Sequence, residues 1–542
     1  MKVIDKLLGA VGLGGGGAAA PAPRPSSAYM RGGRNVVFAG WRPSLREAQV
    51  DVREAWDQAA ARVTDAIHNS GWLSGAIDQA VANTVGDGLR LKASPENALF
   101  GMSEADARAW ARDVEAKFGL WANSAQECDI QGMRTFGQMQ DAQFRTWLAT
   151  GENLSELPFR RRPWNTCGTK VRLISPHRLC RKEDALQRLV SGVYTDADGM
   201  PIAYLAKRKN RFDYEEEVVV RARDAMGRPN VVHVFTGVPE TYRGISPMVP
   251  GLMVARQFDQ LADATATAAI LQTLFAATIT GDAPTEEVIE GLMSPQEWSQ
   301  FRASGGSAME AFMMASGAFY DGATFDPSIN GRVAHLFPGQ KLEFKTAQTP
   351  GIQYETYAKM LLRELSRGLG MLYESATGDY SGATYASLNA GTAEIYKVTT
   401  ARRKHVLVPF CQPIYEAWLE EQIFEGRIGF PGDYAAFMAN RAAASRAEWF
   451  GTPRPQGDDL KLAKAHEIWR RLGVVSDQMI ANDLGVDIED VYAQRAREQA
   501  MRTEYELPEP VMMGANGGPA PAAPDGGDDG DDGPDPDAPL TN

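Results

Sequence analysis

One stretch of this chain limits what it can fold into. Residues 264–281 contain no Asp, Glu, Lys or Arg and are bounded by Asp263 and Asp282. These 18 residues sit at the lower edge of the length a helix needs to cross a bilayer. The stretch is rich in Ala and Thr and holds Gln272, so lipid is a poor home for it. It predicts a packed helix of a soluble protein. The N-terminus raises a similar question. Lys2 and Lys6 precede Leu7, Leu8, Val11 and Leu13, but Gly14–Gly17 interrupt the apolar run. Glycine is a poor helix former, so residues 1–39 predict a flexible leader rather than a signal peptide.

At 44% hydrophobic and 23% charged residues, a chain of 542 predicts about two to four compact units with real cores. The net charge of −13 is unevenly placed. Residues 514–542 hold seven Asp and no Lys or Arg, and removing those seven charges leaves −6 on residues 1–513. Of those last 29 residues, 20 are Gly, Pro or Asp, which predicts a disordered tail over 506–542. An acidic balance argues against a protein that holds nucleic acid by neutralising phosphates. Cys128, Cys167, Cys180 and Cys411 are too few and too scattered for a disulfide framework, and they fit a reducing compartment.

The residue pattern predicts an α+β fold, mainly helical. Residues 46–85 read as helix broken at Ser70-Gly71, followed by a strand at Leu89–Lys92. Residues 103–122 read as a helix capped by Ser103, with Trp110, Val114, Phe118 and Trp121 on its apolar face. From Leu154 to Val234 short strands take over. They include Val171–Ile174, a hairpin of Gly192–Tyr194 with Ile202–Leu205 around Asp196–Gly199, and Val231–Phe235. Helix is predicted from Pro247 to Thr280, and a strand at Lys341–Phe344. Tyr357, Met360, Leu361, Leu365, Leu369 and Leu372 fall on one helix face. A glycine-bounded loop, Gly378–Gly382, precedes a long helix from Tyr385 to Glu425 that Pro409 and Pro413 should kink or break. Two or three short helices follow over 458–503.

Catalytic motifs are mostly missing. Gly168-Thr169-Lys170 lacks the upstream glycine and following hydroxyl of a phosphate loop. Cys167, His177 and Cys180 lack a fourth ligand at zinc spacing. Ser381 sits on a loop that could present a nucleophile, but His405 is the nearest histidine in sequence, and a serine needs a positioned base. No catalytic residue, cofactor or metal is expected. The basic triplets Arg160-Arg161-Arg162 and Lys207-Arg208-Lys209 read as solvated strand ends or as contacts for acidic partners in an oligomer. Arg402, Arg403 and Lys404 lie on the long helix and are the stronger candidates for a subunit interface.

Several phrases recur in a telling order. They are Asn83-Thr84-Val85-Gly86-Asp87-Gly88-Leu89, the turn within Gly192–Tyr204, Arg243-Gly244-Ile245-Ser246, Phe337-Pro338-Gly339-Gln340, Thr377–Ser387 with its Gly-Asp-Tyr-Ser-Gly core, and Phe410-Cys411-Gln412-Pro413-Ile414. On these the chain resembles the lambda-type family of tailed-phage portal proteins over about residues 40–500. It departs at Asp458-Asp459-Leu460-Lys461-Leu462, where the family commonly has Asp-Pro-x-Lys-Glu.

The resemblance implies a portal-protein fold with wing, stem, clip and crown regions, assembled as a ring, usually of twelve, at one capsid vertex. On this chain it implies a wing over 40–247, a first stem helix over 248–281 and a clip over 282–352. A second stem helix would cover 353–373, a tunnel loop 374–384, a long kinked helix 385–426 and crown-side helices 427–505. Gly378, Asp379, Tyr380, Ser381 and Gly382 would face the channel. The implied partners are copies of itself, the terminase large subunit, major capsid and scaffold proteins, and connector or tail-completion proteins. Double-stranded DNA would pass through without sequence-specific binding, and no membrane would be involved. The implied place is the virion, after assembly in the host bacterial cytoplasm. The rival readings are another head-morphogenesis protein and an enzyme of the packaging machine such as a terminase.

Overall fold

The computed structural model describes residues 44–209, 214–274, 277–281, 294–305, scattered positions from 307 to 317, and residues 340–344, 352–453 and 459–507. The leader over 1–39, most of the 282–352 region and residues 508–542 of the tail lie outside the described residues. The chain divides into two compact units, Met1–Gly457 and Asp458–Asn542.

In the first unit, helices α1 (Ala48–Asn69) and α2 (Gly71–Thr84) part at Ser70, which is extended. Trp56, Ala60 and Val63 form the buried face of α1, at helical spacing. Gly86 and Gly88 then turn the chain with positive φ into strand β1 (Arg90–Ala93). Helix α3 (Glu104–Ala122) starts where Ser103 Oγ accepts the Asp106 N–H at 3.1 Å. Helix α4 (Phe136–Thr150) starts on a reciprocal Thr135–Gln138 capping box and stops at Gly151, φ 85°.

Gly151 delivers the chain into β2 (Glu152–Glu156), the centre of a three-stranded antiparallel sheet. Its neighbours are β3 (Arg172–Ile174) and, later in the chain, Val231–Phe235. Between them β4 (Leu189–Val190), β5 (Val193–Thr195), β6 (Pro201–Lys209) and β7 (Glu215–Arg221) make an antiparallel meander in that order. The Asp196–Gly199 turn between β5 and β6 is held by Asp196, whose carboxylate accepts the N–H groups of Asp198 and Met200 at 3.0 and 2.8 Å. The returning strand Val231–Phe235 is β8.

Helix α5 (Leu252–Leu274) follows. It ends seven residues short of the extent predicted for the first stem helix. Ala277–Gly281 is instead strand β9. Thr278, Ile279 and Thr280 are β-branched in a row, a run that fits a pleated strand better than a helix. After α6 (Pro295–Ala303), β10 (Gln340–Phe344) pairs antiparallel with β9, Leu342 opposite Ile279. No helix among the described residues is long and apolar enough to cross a membrane.

Helix α7 (Ile352–Leu369) buries Ala358, Leu361, Leu362, Leu365 and Leu369. Tyr357 and Met360, placed on that face from sequence, are exposed. The face is turned toward Ala358 and Leu362, because small and branched apolar residues can share it at the same 3–4 spacing. Helix α8 (Tyr373–Thr377) and helix α9 (Tyr385–Arg402) flank the Gly378–Gly382 loop. Of the kink or break expected at Pro409 and Pro413, a break does not occur. A π-helical turn, Arg403–Leu407, leads into α10 (Val408–Phe424), placing Pro409 in its first turn, where a missing N–H is tolerated. Pro413 then sits inside a continuous helix.

Residues 427–450 were grouped with the C-terminal helices, and the fold places them in the first unit. Helix α11 (Asp433–Ala439) buries Phe437, and strand β11 (Ala447–Phe450) pairs with β1 in antiparallel register, Phe450 opposite Arg90. Ile428, Phe430 and Phe437 belong to the main aromatic core, which fixes the boundary after residue 457. That core gathers around Trp418 of α10, with Phe118 edge-on at 5.2 Å and Trp121, Phe136, Tyr415 and Trp449 around it. A second core joins Leu73 and Ile77 of α2, Phe144 of α4, Phe258 of α5 and Leu361 and Leu365 of α7. The second unit holds α12 (Asp459–Arg471), α13 (Asp477–Asp483) and α14 (Ile488–Glu504), the short helices the sequence predicts there.

Candidate functional site

The 378–382 loop is built from its two ends. Helix α7 ends as Gly370 takes φ 67°, and the chain enters α8 through Met371 and Leu372. A side chain at Gly370 would be strained by the positive φ and would also crowd Val398 and Arg402 of α9. Gly378, φ 71°, closes α8 by donating its N–H to Glu374 O at 2.8 Å. At the far end Thr384 caps α9 reciprocally with Ser387.

Asp379 organises the turn between. Its Oδ1 accepts the Ser381 N–H at 3.1 Å and the Ser381 hydroxyl at 2.6 Å. Its Oδ2 accepts the Tyr373 hydroxyl at 3.1 Å, with Lys359 Nζ of α7 at 3.5 Å. These donors, the Ser381 hydroxyl foremost, hold the Asp379 carboxyl down to about 2. Burial and then the Asp379 carboxylate push the Tyr373 phenol up. Lys359 also pairs with Glu355 at 2.7 Å, and the Arg363 guanidinium lies 5.3 Å over the Tyr373 ring. Tyr380 is exposed at the tip and lines a shallow groove with Leu388 and Ile395 of α9 and Gln79 of α2.

The loop residues named from sequence are therefore together and exposed or half-buried. Lys359 and Tyr373 were not named. The Glu355/Lys359 spacing of four was visible, but nothing in the sequence shows that Lys359 reaches Asp379. Ser381 donates to a carboxylate that stays ionised to about pH 2, which is not the base a serine nucleophile needs. Cys167 and Cys180 lie in separate cores, and all four thiols are buried and free.

The basic triplet divides by burial and by partner. Arg402 donates to Leu369 O at 2.6 Å. Arg403 is buried and donates to three backbone carbonyls, Thr84, Asn83 and Thr452, at 2.7, 2.8 and 2.8 Å. Their charges satisfy carbonyls at helix and loop ends of their own chain. Lys404 alone of the three is exposed.

A second polar centre fixes the entry to α5. Glu152, fully buried, accepts Arg243 Nε at 2.9 and 2.8 Å and also pairs with Arg243 Nη2. His233 Nε2 lies 3.2 Å away. Burial pushes the Glu152 carboxyl up, but Arg243 and then His233 outweigh it and leave it below its usual range.

Comparison with known proteins places this geometry. A family model described as "Phage portal protein, lambda family" matches residues 35–403. The portal protein of Escherichia phage N15 is 25% identical over 492 residues, 89% of this chain and 92% of that protein. Portal protein B of Escherichia phage lambda is 25% identical over 489 residues, 88% of this chain and 89% of that protein. A solved structure, "Neck of empty GTA particle computed with C6 symmetry", aligns with TM-score 0.42 at 13% identity, covering 82% of this chain and 96% of that one. The matched span takes in helices α5 and α7, the Asp379 loop and helix α9, so this chain belongs to the lambda family of phage portal proteins.

Proposed function

We propose that the chain is one subunit of a closed ring, twelve copies round, that forms the DNA channel at a capsid vertex of a virion. The observation that carries this is the family match across residues 35–403, which includes an exposed loop fixed at its base by Asp379. In this reading Gly378–Gly382 face the channel, α5 and α7 are the stem helices, residues 282–352 are the clip and residues 40–247 the wing. The clip meets the terminase large subunit during packaging and connector or tail-completion proteins afterwards. Major capsid and scaffold proteins surround the ring while it nucleates the shell in the host cytoplasm. The protein is structural, and the motor is a separate ATPase. Lys404 contributes to the contact between subunits.

The electrostatics support sliding over gripping. Each neutralised phosphate adds affinity through counterion release, so a wall of free cations would stall the duplex. At the loop, Lys359 is engaged by Glu355 and Asp379. The body's net −6 adds no phosphate trap. Deleting residues 379–382 tests the assignment. Rings should still assemble, while packaged DNA or its retention falls. Loss of the ring itself would show that the loop is an assembly element instead.

A further inference from the structure

A DNA channel does not require an exposed tryptophan beside three arginines. Residues 158–170 form a tight hairpin-like loop. Phe159 bridges Thr169, Arg160 N–H donates to Gly168 O at 2.6 Å, and Lys170 N–H donates to Pro158 O at 3.1 Å. The loop is braced from within. Glu421 accepts the N–H groups of Gly168 and Thr169 at 2.5 and 2.8 Å, and Glu127 accepts those of Thr166 and Cys167 at 2.8 and 3.1 Å. Arg162 donates to Ile130 O at 2.5 Å, and the fully buried Lys170 donates to Glu127 O at 2.6 Å. Yet at the surface Trp164 is 68% exposed and Phe159 57% exposed. Arg161 is engaged by Glu425, whereas the exposed Arg160 guanidinium has no partner among the described residues. A rigid loop that presents a bare Trp and an unpaired Arg has the composition of a binding hot spot and loses little entropy on docking.

The chain itself supplies a matching ligand. Residues 525–539 carry seven Asp and no Lys or Arg, and Pro534-Asp535-Pro536-Asp537-Ala538-Pro539 alternates proline with acid. Proline-rich segments dock on aromatic surfaces, and a carboxylate offers Arg160 a charge-assisted hydrogen bond. We propose that residues 525–539 of one copy of the chain dock on the Phe159–Trp164 surface of a second copy. A nucleic acid is the weaker match, because one unpaired guanidinium on a body of net −6 does not make a phosphate track. The docking needs a second copy but not a closed ring, so its failure would leave the channel assignment untouched.

Two measurements on the full-length protein test it. In the first, an Asp-specific endoprotease cuts the tail. In an Arg160→Glu/Trp164→Ala variant, cleavage should run about tenfold faster than in the wild type. In the second, all seven tail Asp are changed to Asn, which leaves the folded units untouched. Hydroxyl-radical oxidation of Trp164 should then rise by a similar factor. Equal cleavage in wild type and variant would overturn the proposal. So would equal Trp164 oxidation, whether high in both proteins because the loop is bare or low in both because another surface covers it.

Discussion

Arg243 meets Glu152 with the two side chains 2% and 0% exposed, tying the residue after Gly151 to the chain that enters α5. Backbone packing makes the same joint: a side chain at Gly151 would overlap Ile245, and one at Gly244 would overlap Gly151. Removing one partner of a buried pair leaves an uncompensated charge. Glu152→Ala should therefore lower unfolding free energy by about 3–5 kcal/mol, measured by chemical denaturation. Because the folded carboxyl lies below its usual range, the pair's contribution is present above the unfolded pKa and fades as pH falls through the folded value. Wild type should thus lose stability on acidification more steeply than Glu152→Gln.

Asp379 gives a local pH prediction. Its folded pKa of about 2 is below the unfolded value, so its hold on Ser381 and Tyr373 is complete above about pH 4 and lost as pH falls toward 2. Pepsin cleavage near Tyr380 should accelerate across that window in the wild type. In Asp379→Asn the loop should already be cut faster at pH 4, with no comparable further rise.

Arg403, a candidate for a subunit interface, holds three carbonyls from α2's end and the 452 turn. Arg403→Ala should destabilise the monomer by about 3 kcal/mol or more, since buried carbonyls would lose charge-assisted donors. Lys404→Ala should leave monomer unfolding unchanged. Thermal melts under conditions that keep the protein monomeric separate the two.

Trp418 carries the first core. Trp418→Ala should cost about 3–5 kcal/mol in denaturant titrations, because the rings of Phe118 and Trp121 would face a cavity.

Local rules made part of this legible. The Ser70 break, the Ser103 cap, the Asp196 turn and the glycine-bounded Gly378–Gly382 loop each depend on residues adjacent in sequence, and all were readable. The failures depended on partners far along the chain. Thr278–Thr280 become strand because Gln340–Phe344 returns beside them. Ala447–Phe450 joins the first unit because Arg90–Ala93 offers an edge more than 350 residues earlier. Arg402 and Arg403 look like an outward basic patch until Leu369, Asn83, Thr84 and Thr452 present their carbonyls. At the loop, the glycines and Asp379 were visible, whereas Lys359 and Tyr373 reach it only through the turn at Gly370.

Subunits that close into a ring leave a hole at its centre, and electron microscopy of the purified full-length protein looks for it directly. Annular particles with a central opening and, in class averages, twelvefold symmetry are expected. Monomers, or shell-like assemblies without a channel, would contradict the proposed channel.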